Sequence, residues 1–116
     1  MTESNLTGRA SDAGSTHLIE IFLPLCDNDG KRFTAATFAR VREELIDKFG
    51  GLTAFSRAPA EGTDTGRGGE RHDELVVFEV MTDELDQAWW TSYRRQLETT
   101  FRQDRILIRR SEVRVL

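Results

Sequence analysis

Two spacings of apolar residues organise the chain. From His17 to Leu23 they alternate: Ile19, Ile21 and Leu23 share one side, while Leu18, Glu20 and Phe22 share the other. That period predicts a strand, ended by Pro24 and followed by turn chemistry at Asp27-Asn28-Asp29-Gly30. From Ala35 to Phe49 the spacing becomes helical, with Phe38, Val41, Leu45, Ile46 and Phe49 in one stripe and Arg40, Glu43, Glu44 and Asp47 outside it. Thr34 stands where a helix N-cap belongs. Gly50-Gly51 closes the other end, because glycine readily takes a left-handed conformation.

A short second strand is expected over Leu52 to Arg57, limited by Pro59. Residues 58–73 carry four glycines and a proline without apolar periodicity and read as a long loop. Alternation resumes from Glu74 to Met81. Val76, Phe78 and Val80 lie on one side and Leu75, Val77, Glu79 and Met81 on the other, a two-faced pattern that suits a central strand. Thr82 or Asp83 is the expected cap of a helix reaching Arg102, with acids in its first turn. Leu85, Trp89, Trp90, Tyr93, Leu97 and Phe101 occupy its apolar half, and Arg94, Arg95, Glu98 and Arg102 the other, with Glu98 and Arg102 at a favourable i,i+4 spacing. Arg105 to Arg110 reads as a fourth strand, with Glu112 to Leu116 continuing it past a bulge or turn. Residues 1–16 are small, polar and aperiodic and read as a disordered tail, leaving 17–116 as a single domain.

Strand, helix, strand, strand, helix, strand fits a ferredoxin-like α+β sandwich, an antiparallel four-stranded sheet with two helices on one face. In the corresponding strand order, 4-1-3-2, the first and third strands are central neighbours. The rows Ile19/Ile21/Leu23 and Val76/Phe78/Val80 then face the helices. Leu18, Glu20 and Phe22 lie on the opposite face beside Leu75, Val77, Glu79 and Met81, near Arg109 or Arg110 depending on register. A face this apolar is rarely left in water, so the expectation is a twofold homodimer through it.

Composition narrows the setting. The 116 residues carry 20 acids and 16 bases, a net charge of −4 that speaks against a nucleic-acid partner. The bases are uneven: seven of the 14 arginines fall between Arg94 and Arg114, a local excess that suits a solvated face, an anionic ligand or an acidic partner. One cysteine permits no intrachain disulfide, and no run approaches the ~18 apolar residues of a membrane span, so a cytoplasmic protein without a membrane partner is expected.

No catalytic signature stands out. Glu20 and Glu79 are the low-lying catalytic candidates, with Arg109 of the fourth strand; neighbouring carboxylates in a low-dielectric site can divide acid and base roles, and equally can serve as structural ion pairs. Phe22, Val77 and Met81 are the candidate ligand-binding residues, with the 58–73 loop as a lid. Asp27-Asn28-Asp29-Gly30 fails as an EF-hand, since aligning Gly30 puts Leu25 and Ala36 where carboxylates are required. Gly66-Arg67-Gly68-Gly69 lacks the lysine and the following helix of a phosphate loop. His17 and His72 begin strands that run in opposite directions, so no metal site and no cofactor are expected of them. Cys26 has no histidine at a spacing that would activate it. Trp89 and Trp90 fall in an apolar stripe and read as core rather than as a stacking platform.

The segments LIEIFLPLCDNDGKRF, FGGLTAFSRAPAEG, DELVVFEVMT, AWWTSYRRQLE and FRQDRILIR together resemble an uncharacterised family of small bacterial proteins with a ferredoxin-like fold. The likeness runs from Leu18 to Leu116 and implies no active site to carry over. It also implies a tryptophan after the AEG turn, where this chain has Thr63. At the level of fold the chain is similar to dimeric α/β-barrel proteins, which include small monooxygenases and stress proteins. The resulting expectation is a small homodimeric binding or structural domain; the alternative is a dimeric α/β-barrel-type enzyme acting on a small organic substrate in a sheet-face cavity.

Overall fold

A computed structural model describes residues 15–50, 54–59 and 74–116. The elements are β1 (Ser15–Pro24), α1 (Ala35–Phe49), β2 (Ala54–Pro59), β3 (Glu74–Thr82), α2 (Gln87–Thr100) and β4 (Leu107–Arg114). The fold is α+β. β1 lies between β3 and β4, antiparallel to both, and β2 registers along the far edge of β3, giving the order β2-β3-β1-β4. This arrangement fits the expected βαββαβ pattern. Of the expected tail over residues 1–16, residues 1–14 lie outside the described residues, as do residues 60–73 of the expected loop over 58–73.

The inward row forms as the alternation requires. Ile19 pairs with Val80, Ile21 with Phe78 and Leu23 with Val76, and none of the six is more than 3% exposed. Phe38, Val41 and Leu45 of α1 and Trp90, Tyr93 and Leu97 of α2 join them in one core cluster. Phe101 plugs one end, its ring 4.9 Å from Phe33 and 5.5 Å from Phe38 between ring centres. Phe49 stacks on Trp90 at 5.3 Å.

Helix α1 has the expected bounds. Thr34 accepts from the Thr37 N–H, and Gly50 takes φ 87° while its N–H reaches the Ile46 carbonyl. Four other boundaries differ from the sequence reading. β1 starts at Ser15, so Ser15 and Thr16 pair with Arg114 and Val113 instead of belonging to the tail. β2 extends two residues past its expected end, through Pro59, so Ala58 and Pro59 belong to it and not to the expected loop. α2 begins at Gln87, not Asp83, because Thr82 Oγ1 closes a local turn with Glu84 and Asp86 takes the cap, accepting from the Trp89 N–H at 3.1 Å. The acids expected inside its first turn thus precede the helix. β4 is continuous through Arg114, without the expected interruption at Ser111.

The end of α2 carries a fifth correction. Arg102 does not pair with Glu98. The Gln103 N–H reaches the Glu98 carbonyl and the Arg102 N–H reaches Thr99, a Schellman closure that requires φ 50° at Arg102. In that conformation its guanidinium meets Asp27 at 3.2 Å, 75 residues away in sequence. Asp27 in turn accepts from the N–H groups of Asp29 and Lys31, each at 2.9 Å, which folds the loop after β1 into a turn around its carboxylate. The Lys31 and Asp29 N–H groups and Arg102 hold the Asp27 carboxyl below its ordinary value of 3.8.

Two outcomes follow. Asn at position 27 keeps an acceptor for the turn but loses the charge, so Asp27→Asn lowers the melting temperature at neutral pH. A group with a depressed folded pKa stabilises above its unfolded value and loses that contribution as pH falls through the folded one. The difference between the two proteins, read by thermal melts across a pH series, therefore shrinks once pH drops below about 3.8. Phe101→Ala empties the end of the core and costs about 3–5 kcal/mol in urea unfolding.

Candidate functional site

The outward row of the sheet is built from the same register. Glu20 of β1 stands between Glu79 of β3 and Arg109 of β4. Arg109 Nε donates to Glu20 Oε1 at 2.9 Å, and the guanidinium lies 4.9 Å from the centre of the Phe22 ring. Glu20 is 18% exposed while Arg109 remains 58% exposed. Like charges directly opposite on adjacent strands repel, and the arginine on the other flank offsets only one of them. Among the described residues no cation pairs with Glu79. Among the described residues the patch thus holds two carboxylates and one guanidinium.

Apolar side chains surround it. Val77 is buried, Leu18, Phe22 and Leu75 are half-buried, and Met81 and Leu107 are 37% and 54% exposed. The candidates Glu20, Glu79, Arg109, Phe22, Val77 and Met81 therefore lie on one face, and the register assigns Arg109 to it and Arg110 to the other. Beside Phe22, a cleft of about 240 Å³ is lined by Pro24, Leu75, Gln103, Arg105, Ile106 and Leu107. The patch offers hydrogen-bond acceptors and one donor fork within an apolar rim, which suits a small molecule with a polar or cationic group and an apolar body.

The remaining candidates separate. Arg110 Nη1 lies 3.2 Å from His17 Nδ1, on the helix side of the sheet. His72, Thr63 and Gly66 lie outside the described residues. Among the described residues no three His, Cys, Asp or Glu side chains gather as a metal site. Cys26 is half-buried against the core, beside an isolated bridge to Arg32. Trp90 is core, as its spacing implies, while Trp89 sits at the margin, stacked on Tyr93 at 4.8 Å with Lys48 Nζ 5.1 Å above its ring. The arginine-rich run forms no continuous surface: Arg94 lies beside Glu98, Arg102 pairs with Asp27 and Arg109 with Glu20. No helix of the described residues is long and apolar enough to cross a membrane.

One contact lay beyond the sequence reading. The Tyr93 hydroxyl donates to Glu44 Oε1 at 2.8 Å, tying α2 to α1. Helical spacing puts Tyr93 in the apolar stripe, but nothing in sequence pairs it with a glutamate 49 residues away.

No family model matches the chain, and no curated protein matches its sequence. Among solved structures, a phage SAM lyase in complex with S-methyl-5'-thioadenosine is similar, with a TM-score of 0.60 and 17% identity. The match covers 88% of this chain and 84% of that one. At this identity the likeness is one of fold.

Burial and the negative Glu44 carboxylate push the Tyr93 phenol well above its ordinary value of 10.0. It is the only tyrosine in the chain, so absorbance at 295 nm isolates it. A raised phenol stabilises below the unfolded pKa and loses that contribution as pH rises through the folded one. The expected outcome is no phenolate signal at pH 10–11 until the protein unfolds, and Glu44→Gln brings the titration to lower pH.

Proposed function

We propose that this chain is a cytoplasmic ferredoxin-like domain with a four-stranded sheet, which pairs with a second copy through the open face of that sheet and binds a small organic molecule between the two. The observation that carries this reading is the outward row itself: an apolar rim around Glu20, Glu79 and Arg109. A rim of this kind excludes water when covered, and covering it is favourable at roughly 25 cal/mol per Å² of apolar surface. Charge complementarity favours another copy as the cover. Glu79 lacks a cation on its own chain among the described residues, and Arg109 extends more than half exposed from the same face. Glu20 lies between Glu79 and Arg109, so a twofold axis passing near Glu20 would bring Arg109 of each copy toward Glu79 of the other.

A second reading, an enzyme acting on a small substrate in the same space, is favoured by the direct opposition of Glu20 and Glu79. There Arg109 would hold Glu20 in place through its hydrogen bond, leaving the Glu79 carboxylate to meet the substrate. The structurally similar lyase holds S-methyl-5'-thioadenosine, an apolar thioether joined to a polar nucleoside, and that class of ligand matches the mixed lining.

Light scattering coupled to size exclusion tests the pairing. A dimer that persists on dilution to low micromolar concentration is expected, and Met81→Glu with Leu107→Glu gives a folded monomer, since neither side chain supports the core. A monomeric wild type overturns the pairing. Equilibrium dialysis with S-methyl-5'-thioadenosine tests the ligand class: expected binding weakens at least tenfold in Glu79→Gln, and absence of binding overturns the nucleoside-thioether class.

A further inference from the structure

The opposite side of β4 carries a second polar–apolar arrangement. Alternation sends Arg109 to the open face and Ile108 and Arg110 toward the helices. There a cavity of about 130 Å³ opens between β4 and the first two turns of α2. Its depth is formed by Ile19, Trp90 and Ile108, of which Ile19 and Trp90 are buried. Its rim carries Gln87, Thr91, Arg94 and Arg110.

Both rim guanidiniums are poorly satisfied. Arg94 Nε is buried and makes no hydrogen bond, although Glu98 Oε2 lies 3.4 Å away. That carboxylate oxygen is engaged elsewhere, accepting from the Ile106 N–H at 3.1 Å. Arg110 meets the His17 ring at 3.2 Å, and its nearest carboxylate among the described residues, Glu112, is 3.9 Å away and largely exposed. An exposed ion pair at that distance contributes little. Two planar guanidiniums without a well-placed carboxylate, above an apolar floor, lack one component: an anion with an apolar body.

We propose that this cavity binds a small organic carboxylate, its carboxylate held between Arg94 and Arg110 and its aliphatic part against Ile19, Trp90 and Ile108. Gln87 and Thr91 supply neutral hydrogen bonds at the rim. The volume is well below the roughly 300 Å³ at which drug-sized sites begin, so the ligand is an acid of a few carbons. The apolar floor distinguishes it from inorganic phosphate, which has nothing to place there. Arg109 also borders the cavity, but its guanidinium is held on the open face by Glu20 and Phe22, so the groups that take the carboxylate, Arg94 and Arg110, are not those of the pairing proposed above.

The test is a nitrogen–proton correlation titration of the purified full chain with hexanoate, with hexanamide and inorganic phosphate as controls. Saturable shifts at the Trp90 indole and the Arg94 Nε–H with hexanoate are expected, at least tenfold weaker with hexanamide and with phosphate. Arg94→Gln and Arg110→Gln each weaken hexanoate binding at least tenfold without changing the oligomeric state. Thr91→Phe fills the cavity, leaves every charge in place, and abolishes binding. Raising salt from 50 to 500 mM weakens binding several-fold, since the rim is solvent-exposed. No saturable shift, or equal binding of hexanamide, overturns the proposal. Equal binding of phosphate overturns the organic-acid assignment by showing a bare charge patch, and unchanged binding in Thr91→Phe places the anion outside the cavity.

Discussion

The register between β1 and β3 is the constraint on which the rest depends. Side chains of a strand alternate with a period of two, so a slip of one residue would exchange the two faces entirely. With Ile21 opposite Phe78, three apolar pairs close against the helices. The same register leaves no choice about the other face: Glu20 must stand opposite Glu79, and Phe22 opposite Val77. The core and the candidate site are thus one decision. The energy that fixes the charged pair in place comes from the buried row, not from the pair itself. Exposed ion pairs such as Arg109–Glu20 contribute on the order of 0–1 kcal/mol, too little to set a register.

Much of this is legible in the sequence itself. Alternation marks both central strands and assigns their inward rows, because a half-buried strand must repeat its apolar side chains every second position. The caps of α1 are equally legible, since Thr34 and Gly50 satisfy the helix ends through local chemistry. Where long-range geometry decides, the sequence is silent or misleading. Thr82 has the side chain of a cap, yet it closes its own turn with Glu84, and Asp86 opens the helix four residues later. Glu98 and Arg102 have the right spacing for a pair, but the Schellman closure turns Arg102 out of the helix and toward Asp27. The candidate residues follow the same division. Glu20, Glu79, Phe22, Val77 and Met81 can be assigned to one face by period alone. The choice between Arg109 and Arg110 needs the β1–β4 register, which periodicity does not supply. The Tyr93–Glu44 bond, between two helices, leaves no trace in either helix's pattern.

The two faces of β4 give the arginine-rich end of the chain two uses. Arg109 leans over Phe22 and neutralises Glu20 on the open side. Arg94 and Arg110 frame a cavity on the helix side, with Ile108 of the same strand beneath them. A local excess of positive charge is therefore not one binding surface, because the pleat divides it. The fold shared with a phage lyase that holds a nucleoside thioether shows that such a scaffold accommodates a small organic ligand in that protein. Here, the chemistry available on the open face is two carboxylates and a guanidinium inside an apolar rim.

We propose that a second copy covers the open face. An isotope-filtered nuclear Overhauser experiment on a mixture of labelled and unlabelled protein tests it most directly. Apart from Met1, Met81 is the only methionine, so its methyl signal is a near-unique reporter on that face. The account predicts intermolecular contacts from the Met81 methyl and from Leu18 and Phe22, with none from Ile46 on the exposed side of α1. Intermolecular contacts confined to the helices, or none from Met81 at a concentration where the chain is dimeric, would contradict it.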